Sequence, residues 1–143
     1  MQSVVDDAAI QFAQVTITQP TDSSFRMYAK GKLTNTSPFT ANIQETHLDI
    51  YVNDKKLGSF IMPPLTAQSN GDTDLVIDTT INVESASVFN EFSEILINSP
   101  SVVWRVVGLS SINAIGMTFQ NVNFDKDVEI SGMYFVYLSH QLL

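Results

Sequence analysis

The feature that most constrains the fold is an alternation of apolar and polar residues, with a period of two, along most of the chain. This is the period of a β-strand with one buried and one solvated face. The clearest example has its apolar residues on one face at Phe25, Met27, Ala29, Gly31 and Leu33. Clusters of turn-forming Asn, Pro, Gly and Ser separate the alternating stretches. The sequence therefore predicts a chain of short β-strands.

Three details refine this pattern. The alternation in the first strand slips by one at Ala13 and Gln14, which predicts a β-bulge there. The last strands of the core are expected at residues 116–122 and 125–131. Trp104 lies within a strand that is apolar on both faces, so we expect it in the core.

A single stretch departs from the period of two. Its apolar residues recur at helical spacing and are Val88, Phe89, Phe92, Ile95 and Leu96. Ser85 or Ser87 can serve as the N-cap, and residues 98–100 (NSP) end the pattern. The sequence therefore predicts one short helix, near residues 86–97. Seven to nine strands with one helix indicate an all-β fold, a two-sheet antiparallel β-sandwich.

The length of 143 residues sets the domain organisation. A chain of this length forms one domain and can bury a sizeable hydrophobic core. We therefore expect a single β-sandwich domain over residues 1–143. Its core is expected at about residues 8–132, followed by an apolar C-terminal strand at residues 133–143.

The charge and the residue types exclude several classes of function. The formal net charge is −8, and phosphate backbones repel such a chain, so we expect no nucleic-acid partner. The chain has no cysteine, which excludes disulfides, thiolate zinc sites and cysteine nucleophiles. No apolar run approaches the roughly 18 residues of a membrane span, and residues 1–7 lack the character of a signal peptide. The compartment stays unknown; it would be secreted or vacuolar if the chain is a domain of a longer protein.

Residues 12–22 (FAQVTITQPTD) resemble the opening of a fungal domain of unknown function, which is similar to the late-embryogenesis-abundant, water-stress and hypersensitive-response β-sandwich. The other segments that carry the resemblance are residues 29–39 (AKGKLTNTSPF), 57–65 (LGSFIMPPL), 89–92 (FNEF), 104–108 (WRVVG), 116–119 (GMTF) and 124–126 (FDK). The resemblance implies a fibronectin-type-III-like sandwich with the helix at one end, and it carries no catalytic motif. Members of the wider superfamily are associated with desiccation stress, with membrane-anchored vacuolar or surface proteins, and with binding roles.

Two acidic faces are candidates for a metal site. Glu45, His47 and Asp49 alternate along one strand, so two carboxylates and an imidazole share a face. Residues 125–129 (DKDVE) repeat the pattern with the oxygens that calcium prefers, but no EF-hand-like loop surrounds them. One strand rarely completes a coordination shell, so we favour exposed polar faces and expect no metal site.

Charged side chains also alternate along two further strands. The acidic stripe consists of Asp72, Asp74 and Asp78, and the basic stripe consists of Arg26, Lys30 and Lys32. We interpret both stripes as solvated faces whose charges can pair across neighbouring strands.

No motif for catalysis is present. The two histidines, His47 and His140, lie far apart in the sequence. No nucleophile elbow, phosphate-binding glycine loop or His-Glu-x-x-His motif occurs. We therefore expect no enzyme activity, no catalytic or cofactor-binding residue and no cofactor.

Asn35 begins a glycosylation sequon, Asn35-Thr36-Ser37, and Pro38 after the sequon lowers its use. Asn35 is therefore a candidate glycosylation site. The alternative is a turn held by hydrogen bonds from side chain to backbone.

The C-terminal segment is the strongest candidate for a functional element. It is apolar on both faces of a predicted strand, at Met133, Tyr134, Phe135, Val136, Tyr137 and Leu138. An exposed strand of this kind tends to pair with other strands. It can pack as the last edge strand of its own sandwich, or it can add to the sheet of a neighbouring chain by strand addition or exchange.

We therefore expect a non-catalytic structural or protein-binding module, whose partner is a protein and could be a second copy of the chain. One alternative is a stress-related domain that binds lipid or an apolar small molecule between its sheets. A less favoured alternative is a metal-dependent enzyme that uses the face of Glu45, His47 and Asp49.

Overall fold

The computed structural model describes residues 8–18, 21, 23–99, 101–131 and 133–136. Within these residues it contains one helix, α1 (Ala86–Asn98), and ten strands. The strands are β1 (Ala9–Thr18), β2 (Ser24–Asn35), β3 (Ala41–Ile43), β4 (Thr46–Val52), β5 (Lys55–Met62), β6 (Leu65–Ala67), β7 (Gly71–Val83), β8 (Ser101–Ala114), β9 (Met117–Ser131) and β10 (Met133–Val136). The expected β-rich fold with one helix is confirmed.

Seven of the strands form a closed ring by backbone pairing, in the order β1–β2–β7–β5–β4–β8–β9 and back to β1. Neighbours in the ring are antiparallel, except that β1 and β9 are parallel. The β5–β7 junction has only two residue pairs, Gly58 with Val83 and Ser59 with Asn82, and the β1–β9 junction is equally short. The two separate sheets expected from the sequence are not observed, because these junctions join the strands into one continuous sheet.

β10 continues the line of β9 along β1. Met133 lies opposite Val15, and Val136 lies opposite Thr18, in the same parallel register that β9 has with β1. The apolar C-terminal segment therefore begins as the outer strand of the chain's own sheet.

Bulges adjust the register in two long strand pairs, β1 with β2 and β8 with β9. The pairing of β1 with β2 shifts between Phe12 and Gln14, which confirms the bulge predicted there. β9 is one strand rather than the two expected at residues 116–122 and 125–131. Its pairing with β8 shifts near Asn121, whose φ of 55° lies in the left-handed region that asparagine tolerates. This bulge lets β9 continue instead of ending.

α1 closes one end of the ring. Ser85 is its N-cap, and the Ser85 Oγ accepts a hydrogen bond from the Val88 amide at 3.3 Å. The Phe92 side chain is fully buried, with its ring centroid 5.4 Å from that of Trp104. Trp104 is 2% exposed, which confirms its predicted place in the core.

A smaller group of strands extends the sheet at the other end of β2. β3 follows the line of β4 along β8, and β6 pairs with the free side of β3. We call this group the corner sheet; it consists of β3, β6, residues 112–114 of β8 and residues 117–119 of β9. Its strands are only three residues long at this point, so each relies on its neighbours for register.

Candidate functional site

The candidate metal face on β4 is an ion-pair cluster. His47 Nε2 lies 3.5 Å from Asp49 Oδ1, and Lys56 Nζ lies 3.5 Å from the same oxygen. Lys56 also contacts Glu84 Oε2 at 3.1 Å, and this hydrogen bond raises the pKa of Lys56 above its usual value. Glu45 is exposed in the connection before β4. Among the residues that the structure describes, no group of three His, Asp or Glu side chains is placed to hold a metal ion.

Of the three candidate calcium ligands on β9, Asp125 is already paired with a guanidinium. Arg105 Nε donates to Asp125 Oδ1 at 2.9 Å, and Arg105 Nη2 donates to Asp125 Oδ2 at 2.7 Å. This bidentate geometry is the preferred one for a guanidinium and a carboxylate. The guanidinium holds the pKa of Asp125 below its usual range. A calcium ion would have to displace Arg105 from this carboxylate.

Replacing Arg105 with glutamine should raise the pKa of Asp125 toward the ordinary aspartate value of about 3.9, because the main cause of the lowering is removed. The folded-state pKa lies below the unfolded-state value. The stabilisation from this pair is therefore present above the unfolded-state pKa, and it is lost as the pH falls through the folded-state pKa. An NMR titration of the Asp125 carboxyl measures the change.

Arg26→Gln is the matched control for this titration. Arg26 donates to both carboxylate oxygens of Asp78, each at 2.9 Å, and holds the pKa of Asp78 below its usual value. The control should therefore move the Asp78 titration and leave that of Asp125 in place. An Asp125 pKa that is the same in R105Q and in the parent chain would contradict the pairing.

The same Arg26–Asp78 pair shows that the two charged stripes meet. β2 and β7 are antiparallel neighbours, and Lys32 lies directly opposite Asp74 in their register. The predicted pairing between the acidic and basic stripes is confirmed for Arg26 and Asp78. Both side chains are well exposed, so this face is a solvated surface with locally balanced charge.

The predicted glycosylation site does not present its amide to solvent. Asn35 is 1% exposed, and its Nδ2 donates to the carbonyl oxygens of Phe39 at 2.9 Å and of Ala67 at 3.3 Å. Its Oδ1 accepts from the Ser37 amide at 2.9 Å. A glycan on Nδ2 would disrupt these bonds, so the geometry disfavours glycosylation at Asn35, which stays a prediction. The same hydrogen bonds hold the turn after β2, which is the alternative interpretation.

The predicted assembly segment lies partly within the described residues. Met133, Tyr134, Phe135 and Val136 form β10, whereas Tyr137 and Leu138 lie outside the described residues, as does His140. Within the described part of the chain, β1 is the one strand that pairs with β10. The second edge of β10 has no strand partner there.

Two apolar cavities in the interior of the described residues are too small for a ligand. Each has a volume of about 20 Å³, one near Phe60 and Trp104 and one near Leu33 and Ile43. This is the space of about one water molecule, whereas pockets for drug-sized ligands have roughly 300–1,000 Å³. In the part of the chain that the structure describes, no helix is long and apolar enough to cross a membrane.

Comparison with known proteins shows the family. The sequence model of a family described as a protein of unknown function, DUF3712, matches residues 55–138, which is more than half of the chain. The chain belongs to the DUF3712 family. This confirms the expected membership of a domain family of unknown function. No curated protein matches the DUF3712 chain.

Solved structures that are similar to the DUF3712 chain include three with low sequence identity. A protein from Archaeoglobus fulgidus is 18% identical, with 87% of this chain and 94% of that chain covered and a TM-score of 0.42. AT1g01470 from Arabidopsis thaliana is 15% identical, with 87% and 83% covered and a TM-score of 0.48. At2g46140.1, assigned to the late-embryogenesis-abundant proteins, is 12% identical, with 87% and 70% covered and a TM-score of 0.47.

One surface of the DUF3712 chain is not among the sites that sequence motifs predict. It is a groove beside the corner sheet, lined in part by Asn42, Asn113, Ile115 and Met117. The available signal is the distribution of charge, because residues 33–44, 57–71 and 106–124 contain no Asp, Glu, Lys or Arg. These three uncharged segments supply all four strands of the corner sheet.

Proposed function

We propose that the DUF3712 chain is a non-catalytic structural or protein-binding module, which associates with another protein strand through β10. The position of β10 supports this proposal. One edge of β10 pairs with β1, and among the described residues no strand pairs with its other edge. A free strand edge can accept a strand of a second chain through backbone hydrogen bonds.

A second copy of the chain is the partner that we favour. Two copies related by a two-fold axis would offer each other the same edge, so a single strand can serve as donor and acceptor. The segment of β10, Met-Tyr-Phe-Val, has no charged residue to oppose such pairing. Assembly through this strand would also protect an apolar edge from less specific association.

The two alternative functions have weaker support. Binding of lipid in the interior would require the strands to separate, because the cavities of about 20 Å³ do not accommodate an acyl chain. A metal-dependent enzyme would have to use Asp49, whose Oδ1 already lies 3.5 Å from the cationic Lys56 Nζ. Both alternatives therefore rank behind the assembly module.

The proposal includes an origin and a cellular location for the protein. The sequence resemblance supports a fungal origin, and a secreted or vacuolar location would follow if the chain is a domain of a longer protein.

Light scattering after size exclusion should show that the full chain is oligomeric and that a chain ending at Gly132 is monomeric. The truncation removes β10, which is the proposed contact. The comparison is made at several protein concentrations, because association by mass action depends on concentration. A full chain that stays monomeric throughout, or a truncated chain that still assembles, would refute the proposal.

A double substitution, Tyr134→Lys with Val136→Lys, tests the same contact without shortening the chain. Lysine on an edge strand opposes edge-to-edge pairing, so this variant should be monomeric. Circular dichroism reports whether it keeps its β structure. If the truncated chain is unfolded, the lysine variant still decides between an assembly strand and a strand needed only for folding.

A further inference from the structure

One end of this acidic molecule carries an uncharged groove. The three segments without charged residues, 33–44, 57–71 and 106–124, meet there because β3 pairs with both β6 and β8. The groove is open to solvent, has a volume of about 390 Å³, and has no charged residue in its lining. In a chain with a net charge of −8, such a surface is unsuited to a metal cation and offers no cation to an anion.

A row of Asn and Thr side chains crosses the corner sheet beside this groove. Thr66 lies opposite Asn42, Asn42 opposite Asn113, and Asn113 opposite Thr118, so the four side chains share one face. Thr66 Oγ1 donates to Asn42 Oδ1 at 2.9 Å, and Thr118 Oγ1 donates to Asn113 Oδ1 at 2.7 Å. The threonine hydroxyls thus fix the orientation of both side-chain amides.

The free groups of this row are hydrogen-bond donors. Each asparagine uses its Oδ1 for a threonine, and within the described residues neither Nδ2 has a protein partner. Each Nδ2 has two N–H groups, and each threonine hydroxyl can also accept a hydrogen bond. The row therefore presents fixed donors and acceptors of a kind that match alcohol groups.

The β8–β9 turn places apolar side chains at the edge of the groove. Ile115 has a φ of 49° and Gly116 a φ of 72°, and positive φ at both central residues is typical of a type I′ turn. Asn-Gly is the favoured pair in such a turn, and a β-branched residue with positive φ is unusual and strained. The chain nevertheless places Ile115 there, with 58% of the residue exposed, next to Met117 with 56% exposed. Strain of this kind at an exposed position is a common feature of binding sites.

We propose that this groove binds a neutral carbohydrate. The two amides and the threonine hydroxyls would hydrogen-bond sugar hydroxyl groups, and Ile115 and Met117 would cover the apolar C–H face of a sugar ring. The lack of charge matches an uncharged ligand, and the volume of about 390 Å³ lies within the range of small-molecule sites. The groove lies at one end of β2, and α1 lies at the opposite end. β10 pairs with the half of β1 that is farther from the groove. This site is therefore independent of the proposed assembly strand.

NMR titration of the ¹⁵N-labelled full chain tests this site with two neutral oligosaccharides, laminarihexaose and cellohexaose. We expect at least one of them to shift amide signals at residues 40–42 and 113–118. An oligogalacturonate of the same length, which is anionic, should leave these signals in place. The proposal is overturned if neither neutral sugar shifts them at about 10 mM, which corresponds to very weak affinity. It is also overturned if the anionic sugar shifts these amide signals equally. A shift of the signals with protein concentration alone would overturn it as well, since a second copy of the chain would then occupy the groove.

Asn113→Asp is the first variant, because it keeps the shape of the side chain and removes the donors of Nδ2. It should weaken binding about tenfold. Asn82→Asp is the matched control, since Asn82 is an exposed strand residue on β7 that does not line the groove. Equal loss of affinity in both variants would show a general charge effect and overturn the assignment of the groove.

Ile115→Asn separates binding from stability. It creates the favoured Asn-Gly turn, so the thermal midpoint should rise, while loss of the apolar side chain should weaken binding of the sugar. A purely structural role for Ile115 would leave the affinity unchanged. An unchanged affinity in I115N would therefore contradict the role assigned to this residue.

Discussion

Replacing Phe92 with alanine should lower the free energy of unfolding by about 3–5 kcal/mol, which is the largest effect that we expect from a single substitution. The Phe92 side chain is fully buried, and its ring packs against those of Trp104 and Phe89. With Val88, it is one of the buried side chains by which α1 closes the end of the ring. Alanine would leave a cavity between the helix and the strands, and the lost contacts add to the lost burial of apolar area.

Urea unfolding followed by fluorescence measures this effect, because Trp104 is the single tryptophan of the chain and lies beside Phe92. Phe39→Ala is the matched control. Phe39 is 44% exposed in the connection after β2, so its removal should cost about 1 kcal/mol or less. If the two variants lose similar stability, the helix does not close the core in the way described.

The features that the sequence predicts well are those with local signals. The helix follows from the spacing of its apolar residues and from a serine that caps it, and the observed span Ala86–Asn98 differs by one residue from the expected one. The bulge in β1 follows from a slip in the alternation at Ala13 and Gln14. In each case the residues that form the feature lie close together in the sequence.

The closure of the ring has no comparable signal. It depends on two residue pairs between β1 and β9, which lie at opposite ends of the sequence, and a period of two does not identify the partner of a strand. The strands β3 and β6 have three residues each, which is too short for alternation to be recognised. Because the sequence does not identify the strand partners, it does not show that Asn42 and Asn113 lie side by side.

For the candidate metal face, too, the sequence does not identify the neighbours of a side chain on the adjacent strand. Alternation correctly places His47 and Asp49 on one exposed face of β4. It does not show that Lys56 of the neighbouring strand β5 lies 3.5 Å from the Asp49 carboxylate. A cation from an adjacent strand decides whether an acidic face can hold a metal ion, and cross-strand neighbours are a property of the fold.

Gly58→Ala tests the closure of the ring directly and should lower the free energy of unfolding by about 2–4 kcal/mol. A Cβ atom at Gly58 would overlap the backbone carbonyl oxygen of Asn82 and would lie 3.2 Å from the Val83 Cα. Both obstacles are backbone atoms, which cannot move aside as a flexible side chain can. Because Gly58 provides one of only two residue pairs between β5 and β7, the added methyl group should separate these strands.

Urea unfolding gives the loss of stability, and hydrogen exchange locates it. The Glu84 amide donates to the Leu57 carbonyl oxygen at 2.9 Å beside this junction, so its exchange should accelerate in G58A. Gly71→Ala is the matched control on β7, because a Cβ atom there would have its nearest contact at 3.6 Å, with the Ser69 carbonyl oxygen. Its stability should change by less than about 1 kcal/mol. If G58A unfolds like G71A and the Glu84 amide exchanges at its original rate, β5 and β7 do not approach closely enough to close the ring.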